Sequence, residues 1–209
     1  MQFKSSATKK RTAAVGRFMR ALHTYSAMWV LLLLVFFSVT GITLNHPAWQ
    51  SKLGAQQSIA VLALPDGFQS WPVESEQARY ATALAHWLQQ QGVKAVSWQP
   101  RFEESEQTLE LSFKRPAGYA VALVDFGAAE IELEQQFSGY LALFNDLHKG
   151  RDAGILWKWL IDITAIACLV FAITGFYLLL KMPSKKSVGN ALAVVGGMMA
   201  ILAYLIALH

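Results

Sequence analysis

The chain has 209 residues, of which 54% are hydrophobic and only 15% are charged. Soluble domains carry about 25% charged residues, so this composition favours an integral membrane protein. The single cysteine, Cys168, excludes a disulfide scaffold, a Cys-based zinc site, an iron–sulfur cluster and the CxxCH attachment of c-type haem.

Three apolar runs are each long enough to cross a bilayer, which takes about 20 residues. They predict three transmembrane helices joined to one small α+β extracytoplasmic domain. A cleaved signal peptide is the alternative for the first run, but no small-x-small cleavage site follows it. The predicted segments are a basic tail at 1–22, helices at 23–45, 153–181 and 188–209, a domain at 46–152 and a connector at 182–187.

The charges predict how the chain is oriented in the membrane. Six Lys and Arg residues and no acid occupy positions 1–22, and Lys181, Lys185 and Lys186 occupy positions 181–187, again without an acid. Between Asn45 and Arg151 there are eight Lys or Arg against twelve Asp or Glu. Since cytoplasmic segments near spans collect cations, the N-terminus should lie inside and the acidic domain and the C-terminus outside. The spans explain the basic tail without nucleic acid as a partner.

The polar domain reads as one helix followed by an antiparallel meander. A helix is predicted over 74–91, which Gly92 ends, because Ala78, Ala81, Leu84, Ala85 and Leu88 recur at helical spacing. Alternating runs predict strands at 95–102, 108–114, 119–125 and 130–136. A helix on a sheet is enough to bury one modest core. No internal repeat is evident.

Four of the five histidines lie at the ends of spans, and they are the strongest candidates for chemistry. His46 and His148 lie near the same membrane face on two different helices, with His209 at the end of the third span. Two imidazoles on opposite sides of the ring are a common axial ligation of haem b, so we expect His46 and His148 to ligate haem iron. Interfacial anchoring is the alternative for each, and His86 is expected to be an ordinary helix residue.

For the remaining candidate residues, the sequence does not show a complete set of ligands. His23 is 23 residues from His46, roughly 34 Å along a helix, so it would need a second haem. Its partner ligand could come from a second copy in a homodimer, from Met182 or from Lys181. His209 is either a ligand or a free terminus. Asp162, inside the second span, either accepts a proton from a quinol or tunes a haem, or it pairs with Lys158 four residues earlier.

Two sequence patterns flank the polar domain. The first is Arg17-x-x-Arg20-x-x-His23, followed by an apolar span that ends at Thr40-Gly41. The second is Leu147-His148-x-Gly150, followed by Trp157, Trp159 and Ile173-Thr174-Gly175-x-Tyr177. Both patterns resemble the PepSY-associated transmembrane helix family, and the helix-then-meander domain between them is similar to a single PepSY module. The resemblance extends to about residue 183.

The resemblance implies a bacterial inner-membrane protein with its PepSY module in the periplasm. Larger relatives include haem-containing reductases, some of which act on ferric siderophores. In that pattern the histidines of the first two helices ligate haem, which here are His23 and His148. This chain departs from the pattern by having three spans and no later histidine on the cytoplasmic side.

Two hypotheses from different classes follow. The first is a protein with one or two haem b groups that passes electrons between a membrane donor, such as a quinol, and a periplasmic redox protein or ferric complex. The second is a haem-free interaction protein whose PepSY module binds or restrains a periplasmic protein or peptidase. An outer cluster of histidines is of use to the first hypothesis only.

Overall fold

Three long helices form the apolar part of the molecule. The computed structural model describes the backbone of residues 3–49 and 53–208 and the side chains from residue 10 onward. Helices α1 (Phe3–Asn45), α4 (Gly154–Leu180) and α5 (Pro183–Ala207) are each long and apolar enough to cross a membrane. They cover the three predicted spans, and from Phe3 onward the basic tail continues as helix into the first span. Pro183 begins α5, at the helical position where its missing N–H costs nothing.

A five-stranded antiparallel sheet forms the polar domain, with strand order β1-β5-β4-β3-β2. The four predicted strands are confirmed to within two residues at each end. The strands are β1 (Gln56–Ala63), β2 (Ser97–Glu103), β3 (Thr108–Arg115), β4 (Gly118–Asp125) and β5 (Glu130–Phe137). Strands β2 to β5 form the expected meander, and β1 pairs along the outer side of β5.

Strand β1 is the part of the sheet that the sequence pattern did not reveal. It pairs over its whole length with β5, from Gln56 opposite Phe137 to Ala63 opposite Glu130. Its sequence does not alternate cleanly between apolar and polar residues. Ile59 and Val61 are apolar, yet they project to the open face of the sheet, where both are more than 60% exposed. Backbone pairing with β5 therefore decides the conformation of this segment.

Helix α2 (Gln77–Gln90) supplies the other half of the domain core. Four of its five regularly spaced apolar residues are fully buried against the sheet, namely Ala81, Leu84, Ala85 and Leu88. The fifth, Ala78, lies on the exposed side of the first turn. The first three predicted residues, Glu74–Glu76, form a short 3-10 turn instead. Gly92 follows the helix at a φ of +101°, a conformation that costs glycine little.

A short helix that the sequence analysis did not identify, α3 (Tyr140–Lys149), connects the sheet to α4. It ends at Gly150, whose φ of +65° gives the left-handed cap that commonly closes helices. Asp152 and Gly154 also have positive φ, so the chain turns sharply before α4 begins. His148 therefore belongs to α3 and not to the start of the second span.

The described chain divides into two compact units. One contains α1 up to Leu34, α4 from Asp162 onward and α5. The other is Val35–Ile161, which contains the end of α1, the sheet, α2, α3 and the first turns of α4. Each unit holds one of the histidines at a helix–helix contact.

The two faces of the sheet give a direct test of the core. Leu111 on β3 is fully buried, whereas Leu123 on β4 points to the open face and is 41% exposed. Leu111→Ala should lower the free energy of unfolding of the domain by about 2–5 kcal/mol, the usual cost of truncating a buried leucine. Leu123→Ala should change it by less than about 0.5–1 kcal/mol. Urea unfolding of the full chain in detergent, followed by far-UV circular dichroism, measures both. Equal losses would contradict the assignment of the faces.

Candidate functional site

His148 is held against α1 by a threonine hydroxyl. Its Nδ1 lies 2.7 Å from Thr40 Oγ1. Its ring meets the edge of Phe37, with centroids 5.2 Å apart. A Cβ added at Gly41 would lie 3.5 Å from His148 Cε1, so the ring rests over the glycine backbone. Thr40 is buried, and the half-buried ring of His148 covers it.

His23 is held against α4 in the same way. Its Nδ1 lies 3.1 Å from both Thr174 Oγ1 and the Phe171 carbonyl oxygen. The imidazole stacks on the Phe171 ring, with centroids 4.5 Å apart and planes 12° from parallel. A Cβ at Gly175 would lie 3.0 Å from His23 Cε1, which is closer than ordinary van der Waals contact. The fit between this ring and the glycine is therefore tight.

These two contacts show an internal repeat that the sequence analysis missed. Phe-x-x-Thr-Gly occurs at 37–41 and again at 171–175, and Leu-His occurs at 22–23 and at 147–148. Each histidine contacts the Phe, Thr and Gly of the other copy of the motif. The repeat was available in the sequence as FSVTG and FAITG. Its meaning was not, since only the fold shows which histidine meets which threonine.

The hydrogen bonds determine which ring nitrogen carries the proton. Each threonine has one hydroxyl proton, and Thr40 Oγ1 lies 2.7 Å from the Phe36 carbonyl oxygen, while Thr174 Oγ1 lies 2.6 Å from that of Val170. A carbonyl can only accept, so each hydroxyl donates to it and accepts from the histidine. Nδ1 of the neutral imidazole is therefore the protonated nitrogen, and Nε2 keeps its lone pair.

Nε2 is the atom at both histidines that has capacity left for a ligand. Within the described part of the chain, neither Nε2 has a hydrogen-bond partner. An imidazole whose Nδ1–H is engaged by a neighbouring oxygen is the arrangement that orients histidine ligands toward metals. Ionisable groups among transmembrane helices are candidates for function by default, because burying them there is costly. The two sites, named here the His148 site and the His23 site, are therefore the candidate functional sites.

The helix ends around the His148 site are tied together by further polar contacts. Thr43 Oγ1 lies 2.8 Å from Oδ1 of Asn145, which is only 3% exposed. Trp157 Nε1 donates to the Leu147 carbonyl at 2.7 Å, and the Trp157 ring meets the edge of Phe36. A buried amide that is hydrogen-bonded resists displacement, because losing its partner leaves the full desolvation cost. These contacts therefore fix α3 and the start of α4 on the end of α1.

The other predicted site residues lie apart from these contacts. His46 is exposed and stacks on Trp49, with centroids 4.2 Å apart, so its pairing with His148 stays a prediction. Asp162 and Lys158 are both exposed on α4, and His86 is exposed on α2. His209 lies outside the described residues. Among the described residues, no three His, Cys, Asp or Glu side chains are grouped to hold a metal ion directly.

The comparisons with known proteins identify the family. The PepSY_TM-like family model matches residues 14–209, which is almost the entire chain. The chain belongs to this family. No curated protein and no solved structure matches it. The match includes both copies of the Phe-x-x-Thr-Gly motif and both histidines. Together with the three long apolar helices, it identifies this PepSY_TM-like chain as a membrane protein.

The tautomer of the two neutral histidines can be tested directly. In the neutral forms of His23 and His148, the proton should sit on Nδ1. His86 is the internal control, because its Nδ1 accepts from Gln90 Nε2 at 3.2 Å and its proton should therefore sit on Nε2. Histidine-selective ¹⁵N NMR of the PepSY_TM-like chain in detergent distinguishes the two tautomers. A proton on Nε2 of His148 would contradict the proposed direction of the Thr40 hydrogen bond.

The two glycines predict different responses to a methyl group. Gly175→Ala should displace the His23 ring, since its Cβ would meet Cε1 at 3.0 Å, and the His23 NMR signals should shift. Gly41→Ala should leave the His148 signals nearly unchanged, because 3.5 Å is an ordinary contact. The same ¹⁵N spectra measure both variants. A larger shift in Gly41→Ala than in Gly175→Ala would show that the two sites are not packed as described.

Proposed function

We propose that this membrane protein binds haem b and passes electrons between a membrane donor and a periplasmic acceptor. The observation that supports this function is the pair of imidazoles held by Nδ1 against a threonine, each with the Nε2 lone pair unused. Imidazole Nε2 is the common axial ligand of haem iron.

The haem proposed here would be held at the His148 site. His148 would ligate the iron through Nε2, and His46 is the predicted ligand on the other side. At the His23 site one imidazole is in place, and the second ligand would come from a second copy in a homodimer, from Met182 or from Lys181. Bound there, haem b would supply a reversible one-electron couple between ferric and ferrous iron.

The surrounding residues have definable tasks in this proposal. Thr40 holds the imidazole plane and keeps the proton on Nδ1, which makes Nε2 a better ligand. Phe37 and Gly41 pack on the ring and restrict its rotation. Asp162 would accept a proton from a quinol or tune a nearby haem. The excess of acidic residues in the polar domain would steer a basic redox protein or a cationic ferric complex to it.

Absorption spectra of the purified chain test the function. The protein, expressed with added haem precursor, should show sharp α and β bands after dithionite reduction, as a low-spin b-type haem does. His148→Ala should abolish the bands of the outer haem, whereas His86→Ala, which alters an exposed histidine of the same polar domain, should leave the spectrum unchanged. His46→Ala should convert the outer haem to a high-spin form. One haem per chain would indicate the His148 site alone. About one and a half per chain would indicate a His23 haem shared between two copies, and two per chain a His23 haem in each copy.

A second pair of variants tests whether the hydrogen bond that orients His148 contributes to haem binding. Thr40→Val should weaken haem binding by about 10- to 100-fold, as loss of a hydrogen bond to a metal-ligating histidine usually does. Thr82→Val is the matched control, because Thr82 on α2 also donates to the carbonyl four residues earlier but, among the described residues, forms no hydrogen bond with a histidine. A colourless wild-type protein, or full haem content in His148→Ala, would refute the proposal.

The open face of the sheet supports a second candidate function, binding of a periplasmic protein. This face carries exposed apolar side chains next to acids. They are Ile59, Val61, Leu123 and Tyr119 beside Glu132 and Glu134. Apolar residues grouped on one surface are typical of interaction sites. A colourless chain would favour this function over electron transfer, whereas a haem-bearing one would make the face a docking surface for the acceptor.

A further inference from the structure

A cavity lined by cations lies where the sheet meets the start of the second span. It has a volume of about 530 Å³ and is formed by the turn between β3 and β4, by α3 and by the segment after α3. Its charged lining consists of Lys114, Arg115, Asp146, Arg151 and Asp152. All of these residues belong to the Val35–Ile161 unit.

The cations of this cavity exceed its available negative charge. Asp146 is already occupied, because its Oδ2 accepts from the Ala117 N–H at 2.8 Å and its Oδ1 pairs with Lys149 Nζ at 3.3 Å. Within the described residues, Lys114, Arg115 and Arg151 form no ion pair. Asp152 is the one carboxylate of the lining left to balance these three cations. An anion inside the cavity would therefore be attracted.

One of the cations is held in place before any ligand binds. The Arg115 guanidinium lies over the Phe137 ring, with its Cζ 5.5 Å from the ring centroid. A Cβ added at Gly118 would lie 2.6 Å from the Gln136 carbonyl oxygen and 3.0 Å from Arg115 Nε, so the arginine side chain passes close over this glycine. A planar guanidinium with a fixed orientation matches the oxygens of a phosphate group better than a flexible ammonium does.

The chain also indicates the depth of the cavity relative to the bilayer. Arg151 and Asp152 precede Gly154, the first residue of the membrane-spanning helix α4. The polar headgroup layer occupies the few ångströms beyond the hydrocarbon core on each side. The cavity lining therefore reaches the level of the lipid phosphates. We propose that this cavity binds a phosphate group, and that the phosphate belongs to the headgroup of an anionic lipid in the adjacent leaflet.

Titration of the full chain in a non-ionic detergent tests the proposal. The two probes are a short-chain phosphatidylglycerol and inorganic phosphate, each followed by isothermal titration calorimetry. Arg151→Gln and Arg115→Gln should each weaken phosphatidylglycerol binding by about fivefold, the usual effect of one cation at a lipid surface. Arg101→Gln is the matched control, because it removes the same charge from an exposed position on β2 outside the cavity.

The outcomes separate the ligand sources. Binding of phosphatidylglycerol alone would support the lipid headgroup, and comparable binding of inorganic phosphate would replace it with a soluble phosphate. No binding of either probe, or equal losses in Arg101→Gln, would overturn the proposal. Arg151 lies in an exposed turn outside the helices and strands, so its variant keeps the test valid if Arg115→Gln fails to fold. The haem content of both variants should stay at the wild-type value, which keeps this test independent of the electron-transfer proposal.

Discussion

The single proton of a threonine hydroxyl constrains the chemistry of both histidine sites. Inside a membrane helix, that proton goes to the carbonyl of the preceding turn, because a backbone acceptor is always within reach. The hydroxyl oxygen then has only lone pairs to offer to a neighbour. At Thr40 and Thr174 the neighbour is a histidine Nδ1, which must donate. The tautomer, the plane of the ring and the direction of Nε2 all follow from this one bond.

The two sites use the same residues with different packing. At the His23 site, Phe171 stacks face to face with the ring, its carbonyl is a second acceptor, and Gly175 allows almost no further space. At the His148 site, Phe37 meets the ring edge-on and the glycine contact is looser. His148 therefore has more freedom to adjust toward a ligand. His23 is positioned more rigidly, so a ligand of its Nε2 would have to adjust to the fixed position of the ring.

Elements whose pattern reflects burial could be predicted from the sequence, and contacts between distant segments could not. The three spans, α2 and four strands follow from periodic or continuous apolar residues. Strand β1 was missed because Ile59 and Val61 are exposed on the open face. The ten-residue helix α3 was missed although its apolar residues recur with a helical period. His23 and His148 were singled out by their position at span ends. Thr40 and Thr174 were quoted only as motif residues, because sequence spacing does not show which side chain lies across a helix interface.

The unused Nε2 has an energetic consequence for each site. Under the proposed function, a ligand that took the Nε2 lone pair would also stabilise the helix contact, since binding to the folded state alone shifts the folding equilibrium. The Thr–His hydrogen bond would in this way couple the packing of α1 against α3 and α4 to occupancy of the sites.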